Sequence, residues 1–300
     1  MLSAARAALL EPRLSALLAD YDYDARIEAD PIEFPRRHSR PEDIELVALL
    51  ATSLAYGNAK AFKPKLAQLL APMGKHPADF ARNFDPKRDA KHFEGFVYRF
   101  NVGADLAVLV SSAGRLSREH GGLGKAFEAA FRREQSLRGA LTSFVAGLRG
   151  HIDPAIEERL GKPRDLAHLL PNPEGGSSCK RLLLYLRWMV RGPDRVDFGL
   201  WDIPKSALVI PLDTHIGRIS RFLGLTARSD LSWRTAEEIT ASLRRLDPED
   251  PVKYDFALCH TGMSGACPAR SHARTCAPCG LLPACRKGPQ VLRRAARTQG

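Results

Sequence analysis

Four thiols fall within nineteen residues near the C-terminus: Cys267, Cys276, Cys279 and Cys285, spaced C-x8-C-x2-C-x5-C. Thiolates at this density suit a tetrahedral metal centre, either a four-cysteine zinc site or a [4Fe–4S] cluster. Two disulfides are the other chemistry open to them, but no secretion signal points to an oxidising compartment. Zinc ribbons pair two C-x2-C knuckles, and only one is present here. Three loops of unequal length favour the cuboidal cluster, with zinc as the alternative. His272 lies inside the first loop and reads as a surface residue rather than a replacement ligand. Cys179 and Cys259 stand apart.

A carboxylate is the second candidate. In "LVIPLDTHIGRISRFLGL", residues 208–225, an apolar run ends at Pro211, and Asp213 then precedes Ile216, Ile219, Phe222 and Leu223 at helical spacing. Asp213 is placed to cap that helix by accepting a first-turn N–H and to oppose the positive end of the helix dipole. Gly224 reads as its C-terminal stop. A capping carboxylate is held rigidly, so a catalytic role can coexist with the cap.

An amine is the third. In "PNPEGGSSCKRLLLYLRWMVRG", Gly175 and Gly176 make a flexible turn, and Ser177 or Ser178 can cap the helix that follows. Backbone N–H groups at such a turn are suited to holding a phosphate. Lys180, Arg187 and Arg191 share one face of the otherwise apolar helix, a stripe that either lines a cleft or meets solvent. Lys180 sits in the first turn, where the dipole disfavours its ammonium form, and a lysine so perturbed is an amine nucleophile. The plain alternative is an ordinary surface lysine.

Helices must position these groups. Apolar periodicity predicts them over 4–19, 42–56, 59–72, 104–118, 122–132, 136–149, 178–191, 214–223, 234–246 and 249–262, with little strand-like alternation. "IELVALLATSLAYG" is apolar on most faces and should be a central buried helix. With 300 residues, 44% hydrophobic and 26% charged, the chain has the composition of a globular protein large enough for two lobes. No apolar run approaches the length of a bilayer span. The net charge of +11 favours a polyanionic partner. From Phe256 onward there is no Asp or Glu, while Arg270, Arg274, Arg286, Lys287, Arg293, Arg294 and Arg297 supply positive charge around the cysteines.

The order of glycine turn, lysine on a helix, Gly/Pro-rich connector, "IPLDTH", helix, "YDFALCHTG" and four cysteines resembles the helix-hairpin-helix, Gly/Pro-rich loop, aspartate (HhH-GPD) superfamily of DNA glycosylases. The endonuclease III branch, with its C-terminal iron–sulfur loop, is the nearest analogy. Within the superfamily the chain is similar to a bacterial domain of unknown function carrying the same "CKRLxxxLRWMVR…IPLDTH" pattern. The resemblance covers about residues 170–290 and, more weakly, 40–75. It differs in a longer first cysteine loop, in "PEGGSSCKR" where relatives carry "LPGVGxKTA", and in the 33 positions between Lys180 and Asp213. An archaeal branch that excises 8-oxoguanine shares the altered hairpin and long gap.

The resemblance implies an all-α, two-lobed fold with a cleft between the lobes: a helical-barrel lobe at 42–205, and a second lobe of 1–41 plus 206–300. It implies a DNA base-excision glycosylase, acting on a flipped base, with Asp213 catalytic and Lys180 as the nucleophile of an abasic-site lyase. Gly175, Gly176, Ser177, Arg187, Arg191, Arg270, Arg274, Arg286 and Lys287 would grip DNA, and the four cysteines would hold the cluster. Trp188, Trp201 and Tyr56 are aromatics able to stack on a base or to fill the core. A cytoplasmic, nucleoid-associated monomer on double-stranded DNA is expected. A DNA- or RNA-structure-binding protein without catalysis is the alternative.

Overall fold

The structure, a computed structural model, describes residues 2–150 and 152–298; Met1, His151, Gln299 and Gly300, including the expected outer limits of the second lobe, lie outside the described residues. Helix accounts for 63% and strand for 2%, so the fold is all-α. Among the described residues, helices of nine residues or more are α1 (Ala4–Ala19), α2 (Pro41–Leu54), α3 (Ala59–Leu70), α4 (Gly103–His120), α5 (Leu123–Glu134), α6 (Leu137–Arg149), α7 (Lys180–Val190), α8 (Thr214–Leu223), α9 (Trp233–Leu243), α10 (Asp255–Met263) and α11 (Gly288–Arg297). One antiparallel hairpin joins β1 (Val97–Tyr98) to β2 (Asn101–Val102). No helix of the described residues is long and apolar enough to cross a membrane.

The chain divides into two compact units. The first comprises Met1–Arg26, Gly176–Leu183 and Pro204–Gly300; the second comprises Ile27–Gly175 and Leu184–Ile203. Residues 27–41 thus fall with the large central segment and 176–183 with the C-terminal one. The start of α7 belongs to the first unit and its remainder to the second.

In the second unit α2 is buried along nearly its whole length, as its apolar faces require. Two carboxylates are buried with it and find donors. Asp43 accepts from Ala78 N at 2.9 Å. Glu45 accepts from Leu123 N and Gly124 N, both at 3.1 Å, and from Trp201 Nε1 at 2.8 Å. It thereby satisfies free amides at the front of α5. Gly124 is needed there, because a β-carbon would stand 2.5 Å from the Trp201 ring. Burial nevertheless holds the Glu45 carboxyl above its ordinary range.

In the first unit α8 buries Ile216, Ile219 and Leu223. Helix α10 approaches α8 so closely that a β-carbon on Gly262 would lie 2.8 Å from His215 Cβ. Helix α1 contributes Leu10 and Leu14, both fully buried, each worth about 2 kcal/mol of apolar burial. Its Arg6 guanidinium donates to Leu223 O at 2.9 Å and to Ala284 O, joining the end of α8 to the cysteine segment.

Candidate functional site

The buried run Leu208–Leu212 delivers Asp213 to the front of α8. Ile210 N donates to Thr240 Oγ1 at 3.0 Å, and Ser178 Oγ donates to Leu212 O at 3.1 Å. The second bond ties the start of α7 to the residue before Asp213. Trp233 N donates to Gly176 O at 3.2 Å, and Ser177 pairs with Ser232, so the turn is also fixed to the start of α9. Cys179 takes a positive φ of 48°, which ends the turn and makes α7 begin at Lys180 rather than at 178. Ser177 Oγ accepts from Cys179 N at 3.2 Å just ahead of the helix.

These restraints bring Lys180 to Asp213: Nζ and Oδ2 are 4.0 Å apart, with side chains 27% and 24% exposed. Both are therefore reachable from solvent yet largely enclosed. The two oxygens of Asp213 are divided. Oδ1 accepts from His215 N at 2.8 Å and Ile216 N at 2.9 Å, the N-cap read from the sequence. Oδ2 faces Lys180, and Cys259 Sγ lies 3.6 Å from it. Gly224 closes α8 in the left-handed region at φ 74°. Sequence reasoning missed Cys259, because its proximity arises only from the α8–α10 approach at Gly262.

Arg187 and Arg191 are not a phosphate-facing stripe. They are 2% and 9% exposed and enclose Asp197, itself buried; Arg187 Nη2 lies 3.2 Å from its Oδ1, and Arg191 Nη1 pairs with its Oδ2. A buried carboxylate requires such partners, which is why the cations turn inward. Burial pushes the Asp197 carboxyl up to about 6 even so. Trp188 and Trp201 are core residues, 0% and 4% exposed. Gly175, Gly176 and Ser177 lie exposed ahead of α7, and Arg270, Arg274 and Arg286 are exposed in the cysteine segment with Lys287 half-buried.

The four expected ligands line one hollow, together with Phe222, Leu282 and Gly288. None is in a disulfide. Among the described residues, no three or more His, Cys, Asp or Glu side chains are grouped to hold a metal ion. Gly288 N points at Cys285 Sγ from 3.2 Å. Burial pushes the Cys267 and Cys276 thiols up. The segment is tied to α8 by Arg286 N to Phe222 O at 2.7 Å and by Arg218 Nη2 to Cys267 O at 2.7 Å. His272 is exposed and does not line the hollow.

No curated protein matches the chain, and no solved structure does. A family described as "Protein of unknown function (DUF2400)" matches residues 30–264, a span that holds Lys180, Asp213 and Cys259 and stops three residues before Cys267. Spanning well over half of the chain, that match makes this protein a member of the DUF2400 family.

Proposed function

We propose that the protein is a DNA base-excision glycosylase of HhH-GPD type, with abasic-site lyase activity carried by Lys180. The observation that carries this reading is the 4.0 Å approach of Lys180 Nζ to Asp213 Oδ2 in a partly exposed site. Stability does not account for the pair, since partly exposed ion pairs of this kind contribute only about 0–1 kcal/mol. The division of Asp213 does suit catalysis: the oxygen that caps α8 fixes the other in place, facing the amine.

A base in a duplex must first be extruded, at a cost of a few kcal/mol that is least for weakly paired lesions. Asp213 Oδ2 then stabilises the positive charge that develops on the sugar as the bond from C1′ to the base nitrogen breaks. Lys180 gives up a proton, with the carboxylate as the nearby acceptor, and its nitrogen forms the new bond to C1′. The departing base takes a proton and leaves an aminal at C1′; the C1′–O4′ bond then opens, O4′ taking a proton as the nitrogen loses one, and the resulting imine permits loss of a C2′ proton and β-elimination of the 3′ phosphate. Exposed Arg270, Arg274 and Arg286 supply sequence-independent phosphate contacts.

The cysteine segment fits an iron–sulfur cluster. Its donor set is thiol alone, and a backbone N–H is aimed at one sulfur, as iron–sulfur sites favour. The four cysteines line one hollow, and their unequal loops, x8, x2 and x5, suit a cuboidal cluster better than a zinc ribbon, which pairs two C-x2-C knuckles. Cys267, Cys276, Cys279 and Cys285 would hold it. The cluster, when bound, supplies structural cross-linking for a segment poor in apolar residues.

Borohydride reduction on duplex DNA with an abasic site tests the reading. A covalent adduct is expected with the wild type and none with Lys180→Ala. An adduct that persists in Lys180→Ala would remove the lysine from its role. Absence of base release by the wild type across a panel of single-lesion duplexes would remove the glycosylase reading itself.

A further inference from the structure

We infer that the β1–β2 hairpin of the second unit is a stacking platform for an unpaired nucleobase, with Phe100 as the base-contacting ring and Arg99 as the phosphate contact. The inference rests on the proposed function for its nucleic-acid partner and not for its chemistry.

Phe100 is 51% exposed at the tip of a two-residue turn, and neighbouring Val97 is 47% exposed. A lone exposed phenylalanine is commonplace, but this one is built in. Its ring lies at 17° to that of Tyr56 with centroids 6.3 Å apart, and His168 meets both rings edge-on, at 5.1 Å from Phe100 and 4.6 Å from Tyr56. The support is rigid. Tyr56 Oη donates to Tyr98 O at 3.0 Å and sits 2.8 Å from Asn101 Oδ1, while Asn101 Nδ2 donates to Asp165 O at 3.0 Å.

The backbone gives the second observation. Arg99 has φ 50°, the left-handed region that two-residue hairpins usually fill with glycine or asparagine. A strained non-glycine residue held by its surroundings is a pointer to a functional position. Here the strain presents a guanidinium 5.9 Å from the Phe100 ring centre, over the backbone at Gly57. Aromatic faces beside cations on a chain of net charge +11 match a base and its phosphate, whereas a neutral apolar partner would gain nothing from Arg99.

The test is fluorescence anisotropy of the full chain with a labelled single-stranded DNA of about 12 nucleotides, within the site sizes such platforms use. Phe100→Ala is expected to weaken binding about tenfold, and Phe100→Trp to restore it. A strand of equal length lacking its bases should bind wild type and Phe100→Ala alike. Melting temperatures check that the exposed substitution leaves the fold intact. Equal binding of the based strand by wild type and Phe100→Ala, or no single-strand binding by the wild type, would overturn the inference. Lys180→Ala separates the two readings. Lost adduct with a retained Phe100 effect supports both. A persistent adduct with a retained Phe100 effect sinks only the lysine role.

Discussion

Cys259 Sγ stands 3.6 Å from Asp213 Oδ2, the same oxygen that faces Lys180. The carboxylate therefore meets an amine and a thiol on one side and the α8 backbone on the other. A substitution that keeps the cap separates the two duties.

Asp213→Asn should do so, because asparagine caps a helix about as well as aspartate. Base release and adduct formation should fall by at least tenfold while the melting temperature stays within about 2 °C of wild type. Asp213→Ala loses the cap as well and should cost about 1 kcal/mol more. Calorimetry beside the adduct assay distinguishes these outcomes. Equal activity of Asp213→Asn and wild type would show that the charge is unused.

Asp197 predicts a stability effect remote from the chemistry. Asp197→Ala removes the carboxylate that buried Arg187 and Arg191 share, although Arg191 keeps its 3.1 Å pairing with Asp194, and should cost about 3 kcal/mol in urea unfolding. A loss below about 1 kcal/mol would mean that solvent reaches the arginines.

The same residue fixes a pH dependence. Burial raises the Asp197 carboxyl to about 6, so the folded chain holds its proton more tightly than the unfolded one. Its contribution is complete below the ordinary carboxylate range and is lost as pH rises through about 6. The stability of wild type relative to the non-titrating Asp197→Asn should therefore fall between pH 4 and pH 7. Urea midpoints for both proteins at those pH values check the sign, and a rising difference would contradict it.

Metal analysis should find about four iron atoms and matching sulfide per chain, against one zinc for the alternative. Cys276→Ala should lose the iron and lower the melting temperature, because binding energy at such a site is folding energy. Iron content unchanged in that variant would remove Cys276 from the ligand set.

Removing a phosphate contact should act through salt. Each of Arg270→Ala and Arg274→Ala should lower the slope of log affinity against log salt for duplex DNA by about 0.9. An unchanged slope would place that arginine off the DNA.

Features set by neighbours in the chain were legible in the sequence. The Asp213 cap, the Gly224 stop and the buried α2 each depend on residues within a few turns, and the structure has them where the pattern puts them. Features set by distant partners were not. The stripe of Arg187 and Arg191 could not be told from a surface stripe until Asp197, beyond a turn, was seen to fill it. The β1–β2 hairpin escaped because two-residue strands show no alternation and Arg99–Phe100 is not a glycine turn. Helix α7 starts late through the φ of Cys179, which residue type does not foretell. Helix α11, beyond the last helix the periodicity predicts, was hidden by its high charge.

The Arg6 grip on Leu223 and Ala284 bears on biosynthesis. The first unit is assembled from segments separated by some 150 residues, whereas the greater part of the second is continuous in the chain. A nascent chain emerges at about 5–20 residues per second, so residues 27–175 are complete several seconds before Ala284 exists. The contacts of Arg6 with Leu223 and Ala284 can form only after those later residues have been made. The first unit is therefore completed across a long stretch of chain, whereas most of the second closes within one continuous segment.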